Sequence, residues 1–397
     1  MNKVFRESEI AGIVLKNRIL RSATHEGMCD ERGRPTEGLI KKYVALAKGG
    51  VGAIITGFTG IRQDGRCDNM LMLDTDDNIK PFEELVNRVH AQGTPIILQV
   101  AHCGRQTRSK VTGYRTVAPS AIRDNVYSED IPHELTDTEI LEIVDDFVYA
   151  IERAKKAGFD GVQLQAAHGY LLSSFLSPHM NKRSDRWGGT TENRSRIIRE
   201  IILEARKVVG SYPILAKINA FEQSKDGLKI AEAIEIAKCL EAAGCDAIEV
   251  SSGVAEDGFS TTRGDVPFDL LVRDHFRLKK LPKILRPVVK PLAVKWLKSP
   301  KPYALYNVAG AEAIKAHVKI PVIVVGGIRT LQDIEDIIEQ NRCDFVAMAR
   351  PFIIEPGIVN RFREGKQAES RCINCNFCVV GVEERPLKCY YGRVSNG

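Results

Sequence analysis

Residues 159–194 read FDGVQLQAAHGYLLSSFLSPHMNKRSDRWGGTTENR, and the opening of that stretch decides the architecture. Gly161-Val162-Gln163-Leu164-Gln165 is a short apolar run with Ala157-Gly158 and a helical pattern upstream of it. Such a run suits a strand buried in a parallel sheet. At its end stand Gln165, His168 and Tyr170, three hydrogen-bonding side chains at the C-terminal edge where barrel folds keep their chemistry. His168 or Tyr170 alone would pass for a satisfied core residue. The three together on one strand end point to a site. Further on, Arg183, Asp185, Arg186 and the turn Trp187-Gly188-Gly189 lead into Thr190, Thr191, Glu192 and Asn193, a helix start.

Working outward, apolar runs alternate with amphipathic segments. Strands are expected at residues 19–23, 51–56, 95–101, 159–165, 213–219, 247–251, 321–325 and 345–348. Helices are expected at 37–48, 81–92, 137–156, 192–209, 230–243, 309–317 and 331–340, with a short one at 357–364. The alternation predicts an α/β fold, a (β/α)8 TIM barrel over residues 1–365, with a short cysteine-rich extension over 366–397. Gly49-Gly50, Gly93, Gly158, Gly210 and Gly244 close helices where a left-handed turn is needed. One segment breaks the rhythm. Residues 277–302, rich in Lys, Pro and apolar side chains, fall between the sixth and seventh strands and would hang over the barrel mouth. A solvated excursion, a lid, a docking surface for an acidic electron donor, a subunit contact and a membrane contact through Trp296 are all open to it.

The composition, 44% hydrophobic and 27% charged over 397 residues, is that of a globular protein with a sizeable core. A net charge of +6 gives no reason to expect nucleic acid as a partner. No apolar run resembles a signal peptide or approaches membrane-spanning length, so a cytoplasmic protein with no membrane partner is expected. Ten cysteines in a chain this long do not suit a disulfide scaffold. Six are scattered and four, Cys372, Cys375, Cys378 and Cys389, crowd together as a metal site would.

The motif HGYLLSSFLSPHMNKRSDRWGGTTENR resembles the signature of the Old Yellow Enzyme family of FMN-dependent oxidoreductases, which includes the flavin barrels of dienoyl-CoA reductase and trimethylamine dehydrogenase. The resemblance implies FMN as cofactor and NAD(P)H as possible electron donor. It also implies that Ala23, Thr24 and His25 lie along the flavin, Gln99 meets its pyrimidine edge, and Lys217 is a cation beside it. A lysine in the apolar run around 217 is costly to bury unpaired, and a reduced-flavin anion would be a fitting partner. Phe58 stands where relatives commonly have a small residue, so only Gly57 is carried over from that strand end. After the seventh and eighth strands, Gly326-Gly327 and Ala349-Arg350 fit a phosphate cradle built from backbone amides and a paired charge.

Reduction of an activated C=C bond needs hydride from flavin N5, donors that polarise the substrate carbonyl, and a proton for the other carbon. The resemblance places the donors at Gln165 and His168 and the proton on Tyr170. The family pair is usually His-His or His-Asn, so Gln165 is a departure. An enone or enoate substrate follows. The tail spacing, Cys372-x2-Cys375-x2-Cys378 with Cys389 beyond, resembles a [4Fe–4S] segment, while four thiolates also suit zinc and an unmetallated relic is the third alternative. A cluster would call for a separate electron-donor protein. An oxidative amine dehydrogenase or demethylase and an electron-transfer subunit are the alternatives, and a homo-oligomer is expected.

Overall fold

The computed structural model describes residues 2–275, 278–297 and 300–393. Eight parallel strands form its centre: β1 (Ile19–Arg21), β2 (Ala53–Ile55), β3 (Ile96–Ala101), β4 (Gly161–Ala166), β5 (Ile214–Asn219), β6 (Ala247–Ser251), β7 (Val322–Val325) and β8 (Phe345–Met348). Each pairs with the next, and β8 returns to β1 through Ala347 opposite Leu20, so the sheet closes into a (β/α)8 barrel. Around it lie α1 (Glu37–Lys48), α2 (Ile79–His90), α3 (Asp137–Lys156), α4 (Thr191–Val209), α5 (Ile230–Ala242), α6 (Val308–Lys315), α7 (Leu331–Glu339) and α8 (Ile358–Arg363). All the expected strands and helices are present. β1 stops at Arg21 rather than at residue 23, because Ala23 and Thr24 leave the ladder to line the mouth. Gly50, Gly93, Gly158, Gly210 and Gly244 have positive φ, whereas Gly49 stays right-handed as the cap of α1.

The barrel interior is layered. Its lower layer is apolar, with Leu20, Ile55, Ile97, Leu215, Ile323 and Phe345 in one buried cluster. Ile10, Ile13 and Leu15 complete that cluster from an N-terminal hairpin, Ser8–Ile10 against Ile13–Leu15, which plugs the bottom. Burying each of the three stabilises the fold by about 1.5–3 kcal/mol.

Much of the polar signature is scaffold. Trp187 is wholly buried, and its Nε1 donates to Asp137 at 2.7 Å, which ties the turn to the start of α3. Arg183 donates to the Pro119 and Leu135 carbonyls at 3.0 and 2.7 Å, and Arg194 donates to Leu176 O at 2.9 Å. Thr190 caps α4 by accepting from the Asn193 amide.

The insert between β6 and β7 contains a helix, Arg286–Leu297, and Lys279 reaches the cavity at the mouth. Arg277, Lys298, Ser299 and the Trp296 side chain lie outside the described residues. The cysteine-rich tail folds back across the mouth. Leu387 N donates to Glu26 O at 2.7 Å, Lys42 Nζ donates to Leu387 O at 2.7 Å, and Arg385 pairs with Asp274 at 2.6 Å.

Candidate active site

Above the apolar layer, the inward positions turn polar. Alternation along each strand puts Gln99 two residues after Ile97, Lys217 after Leu215 and Glu249 after Ala247. Gln99 Nε2 donates to Gln163 Oε1 at 2.7 Å, and Gln163 Nε2 donates to Glu249 Oε2 at 2.7 Å. Glu249 Oε1 accepts from Ser22 Oγ at 2.5 Å and lies 3.2 Å from Lys217 Nζ, which itself donates to Ser22 Oγ at 2.9 Å. The result is a connected polar floor, buried throughout. Burial pushes the Lys217 ammonium below its usual range, and the Glu249 carboxylate opposes that shift. The expected partner of Lys217, a flavin anion, is therefore not needed to justify its burial, because the protein supplies a carboxylate. Sequence reasoning missed Glu249, although its inward parity on β6, level with Lys217 in the register, was readable.

The floor opens into a cavity of about 580 Å³, within the usual range of ligand sites. Gln165, His168 and Tyr170 share its wall. His168 adopts a left-handed backbone, φ 69°, followed by Gly169 at 89°, and this bend turns the imidazole back over the strand end. Its Nδ1 lies 3.2 Å from Gln165 Nε2 and its Nε2 lies 2.7 Å from Ser251 Oγ. Enclosure by the protein, helped by the Lys217 charge, lowers the His168 pKa to about 3, so the ring is neutral. The Gln165 amide is therefore the donor to Nδ1, which leaves the proton of the neutral ring on Nε2, facing Ser251. Tyr170 begins the short helix Leu171–Leu176, and its ring lies 5.2 Å from that of Phe58. Burial, reinforced by the neighbouring acidic groups, holds the Tyr170 phenol well above its usual range.

Ala23, Thr24 and His25 line the same cavity, and the His25 ring stacks on Phe58 with centroids 4.9 Å apart. Burial lowers the His25 pKa to about 4, against a nearby Asp68. Gly57 does not reach the cavity. It lies behind Thr24 and Glu26, its amide donates to Tyr43 Oη at 3.0 Å, and Phe58 takes the place facing inward.

Gly326, Gly327, Ala349 and Arg350 form the opposite wall with Arg329. A side chain at Gly326 would collide with Tyr306 and Asn307, and one at Gly327 with the backbone at residues 303–305. Arg350 is buried and donates to Arg263 O at 3.1 Å and to Asn376 Oδ1 at 2.8 Å. Amide groups and an ammonium on the floor, with glycine backbone and arginines on the far wall, form a donor set that fits FMN.

The four tail cysteines are free thiols. Cys375 and Cys378 lie within electrostatic reach of Cys372 and Cys389. Burial pushes Cys378, which lines the cavity, up to about 12. Among the described residues, however, no three Cys, His, Asp or Glu side chains converge closely enough to hold a metal ion. In this arrangement the tail does not form the expected ligand set.

A closed barrel with a cavity of ligand size at the C-terminal ends of its strands, polar-floored and arginine-walled, has the arrangement of a (β/α)8 barrel with a small-molecule site. The family model for the NADH:flavin oxidoreductase / NADH oxidase family matches residues 3–261 and 292–369, and the chain belongs to that family. It is 37% identical over 383 residues to an NADH oxidase of Thermoanaerobacter brockii, covering 95% of this chain and 53% of that protein. It is 32% identical over 357 residues to an NADPH dehydrogenase of Halalkalibacterium halodurans, covering 89% and 92%. The fold is shared with a 2-naphthoyl-CoA reductase complex at a TM-score of 0.83, 24% identity, and coverage of 98% of this chain and 56% of that one. The chain spans about half the length of the first curated relatives it matches. The interval that the family model leaves unmatched, 262–291, overlaps the insert.

Proposed function

We propose that the chain binds FMN in this cavity and, with electrons from NAD(P)H, reduces the C=C bond of an α,β-unsaturated carbonyl compound. The convergence of Gln165, His168 and Tyr170 on one wall carries the proposal. Bound FMN would supply the hydride. Gln99 and Lys217 would hold its ring edge, Ala23, Thr24 and His25 would lie along it, and Gly326, Gly327, Ala349 and Arg350 would cradle its phosphate. Gly57 would act only through the backbone behind Thr24.

The chain's own groups then have separable tasks. Gln165 Nε2 and His168 Nε2 donate to the carbonyl oxygen of the substrate, binding the negative charge that grows there. Both are neutral donors, since an amide cannot become cationic and enclosure keeps the imidazole uncharged. The substrate oxygen displaces Ser251 from His168. Tyr170, kept protonated by burial, gives its phenolic proton to the second carbon.

A [4Fe–4S] cluster on Cys372, Cys375, Cys378 and Cys389, fed by a separate electron-donor protein, is supported by their spacing alone and would require the tail thiols to draw together around it. The division into a barrel of 1–365 and a tail of 366–397, a cytoplasmic location and a homo-oligomeric state belong to the same proposal. No described helix is long and apolar enough to cross a membrane.

The test is purification without oxygen, followed by an absorption spectrum, an iron assay and turnover with enones, enoates and amines. Flavin bands with NAD(P)H-dependent loss of the enone support the proposal. Flavin with amine oxidation alone, or reversible reduction without turnover of either class, replaces it. No flavin after reconstitution overturns it.

A further inference from the structure

Beneath Tyr170 lies a pair of thiols that the reductive chemistry does not use. Cys67 follows the turn after β2 and faces the cavity, while Cys103 follows β3 and is fully buried behind it. The two loops are stitched together beside the pair. Cys103 N donates to Gly65 O at 2.8 Å, and Thr107 Oγ1 donates to Arg66 O at 2.6 Å. Cys67 and Cys103 pack in one cluster with Phe58, Met70 and Tyr170. The single Met70 sulfur touches both residues, accepting from Cys67 N at 3.4 Å and from Cys103 Sγ at 3.8 Å.

We propose that Cys67 and Cys103 are a hydroperoxide-oxidised dithiol, with Cys67 as the attacking and Cys103 as the resolving cysteine. The division of labour follows from access, since Cys67 lines the cavity while Cys103 is fully buried. Cys67, as thiolate, attacks one peroxide oxygen. The O–O bond breaks, hydroxide leaves and is protonated to water, and Cys67 becomes a sulfenic acid. Cys103 sulfur then attacks Cys67 sulfur, the S–O bond breaks, a second water leaves, and the S–S bond forms. The two thiols lose two electrons and the peroxide gains them. A thiol reductant reverses the reaction by exchange. Because both sulfurs pack in the cluster that holds the Tyr170 ring, the bond would reshape the wall that carries the proton donor.

The experiment treats the full chain with hydrogen peroxide, alkylates the remaining thiols, digests without reduction and maps the peptides by mass spectrometry. The expected result is a cross-linked peptide pair joining Cys67 to Cys103, parallel loss of both from the alkylated pool, and recovery with a thiol reductant. In C103S, Cys67 should accumulate as a sulfenic acid trapped by a dimedone probe. Both thiols remaining alkylatable while other residues oxidise would overturn the proposal, and so would a bond from Cys67 to Cys29 or to a tail cysteine. Should C103S fail to fold, the map of the unsubstituted chain decides alone. No substrate turnover enters the readout, so its outcome is independent of the reductase proposal.

Discussion

Lys217 and Glu249 are opposite charges sealed inside a barrel, where each justifies the burial of the other. Lys217→Ala should therefore cost about 3–5 kcal/mol, because it strands the Glu249 carboxylate. Urea unfolding would measure it, and adding Glu249→Gln should recover part of the loss. Tyr170→Phe is expected to lower C=C reduction by about 10²–10⁴-fold. Reduction of the flavin by NAD(P)H should continue, and stopped-flow absorbance separates the two half-reactions. The histidines give a pH signature. His168 and His25 bind protons less readily folded than unfolded, with pKa values of about 3 and about 4. Their contribution to stability is complete above the unfolded pKa of about 6.5 and is lost as pH falls from there towards the folded values. Their ring resonances should thus hold neutral positions down to about pH 5, which NMR titration can check. Gln165, His168 and Tyr170 were legible in the sequence because they crowd one strand end. Glu249 was hidden within an apolar strand, where only its inward parity marks it.

Elements were more legible than residues. Long amphipathic helices and buried parallel strands announce themselves by period, and β6 and β8 have the bounds that the sequence predicts. The N-terminal hairpin was not anticipated, although Ile10, Ile13 and Leu15 lie on one face around an Ala11-Gly12 turn with both φ values positive. Strands of three residues are too short for periodicity to separate from a loop. Ile10→Ala should destabilise the barrel by about 2–5 kcal/mol by leaving a cavity in its base. The glycine wall makes a different demand. Gly327 has φ 71° and no room for a methyl group, so Gly327→Ala should cost more than about 1 kcal/mol and weaken flavin retention in parallel. Thermal unfolding and a flavin release assay would show both effects in one variant.

At the scale of the molecule, the tail is where spacing and arrangement part. The run from Cys372 to Cys389 has the spacing of a ligand set, yet among the described residues no three such side chains converge on one point, and convergence is a tertiary property that spacing alone cannot fix. The tail's contacts carry a consequence for how the protein is made. Leu387 is bonded to Glu26 and Lys42, and Asn376 to Arg350, so the rim of the cavity joins residues from opposite ends of the sequence. During synthesis the N-terminal part emerges first, and contacts of such long sequence separation form late. Until the cysteine-rich segment has emerged, a nascent barrel therefore lacks the contacts that close this rim.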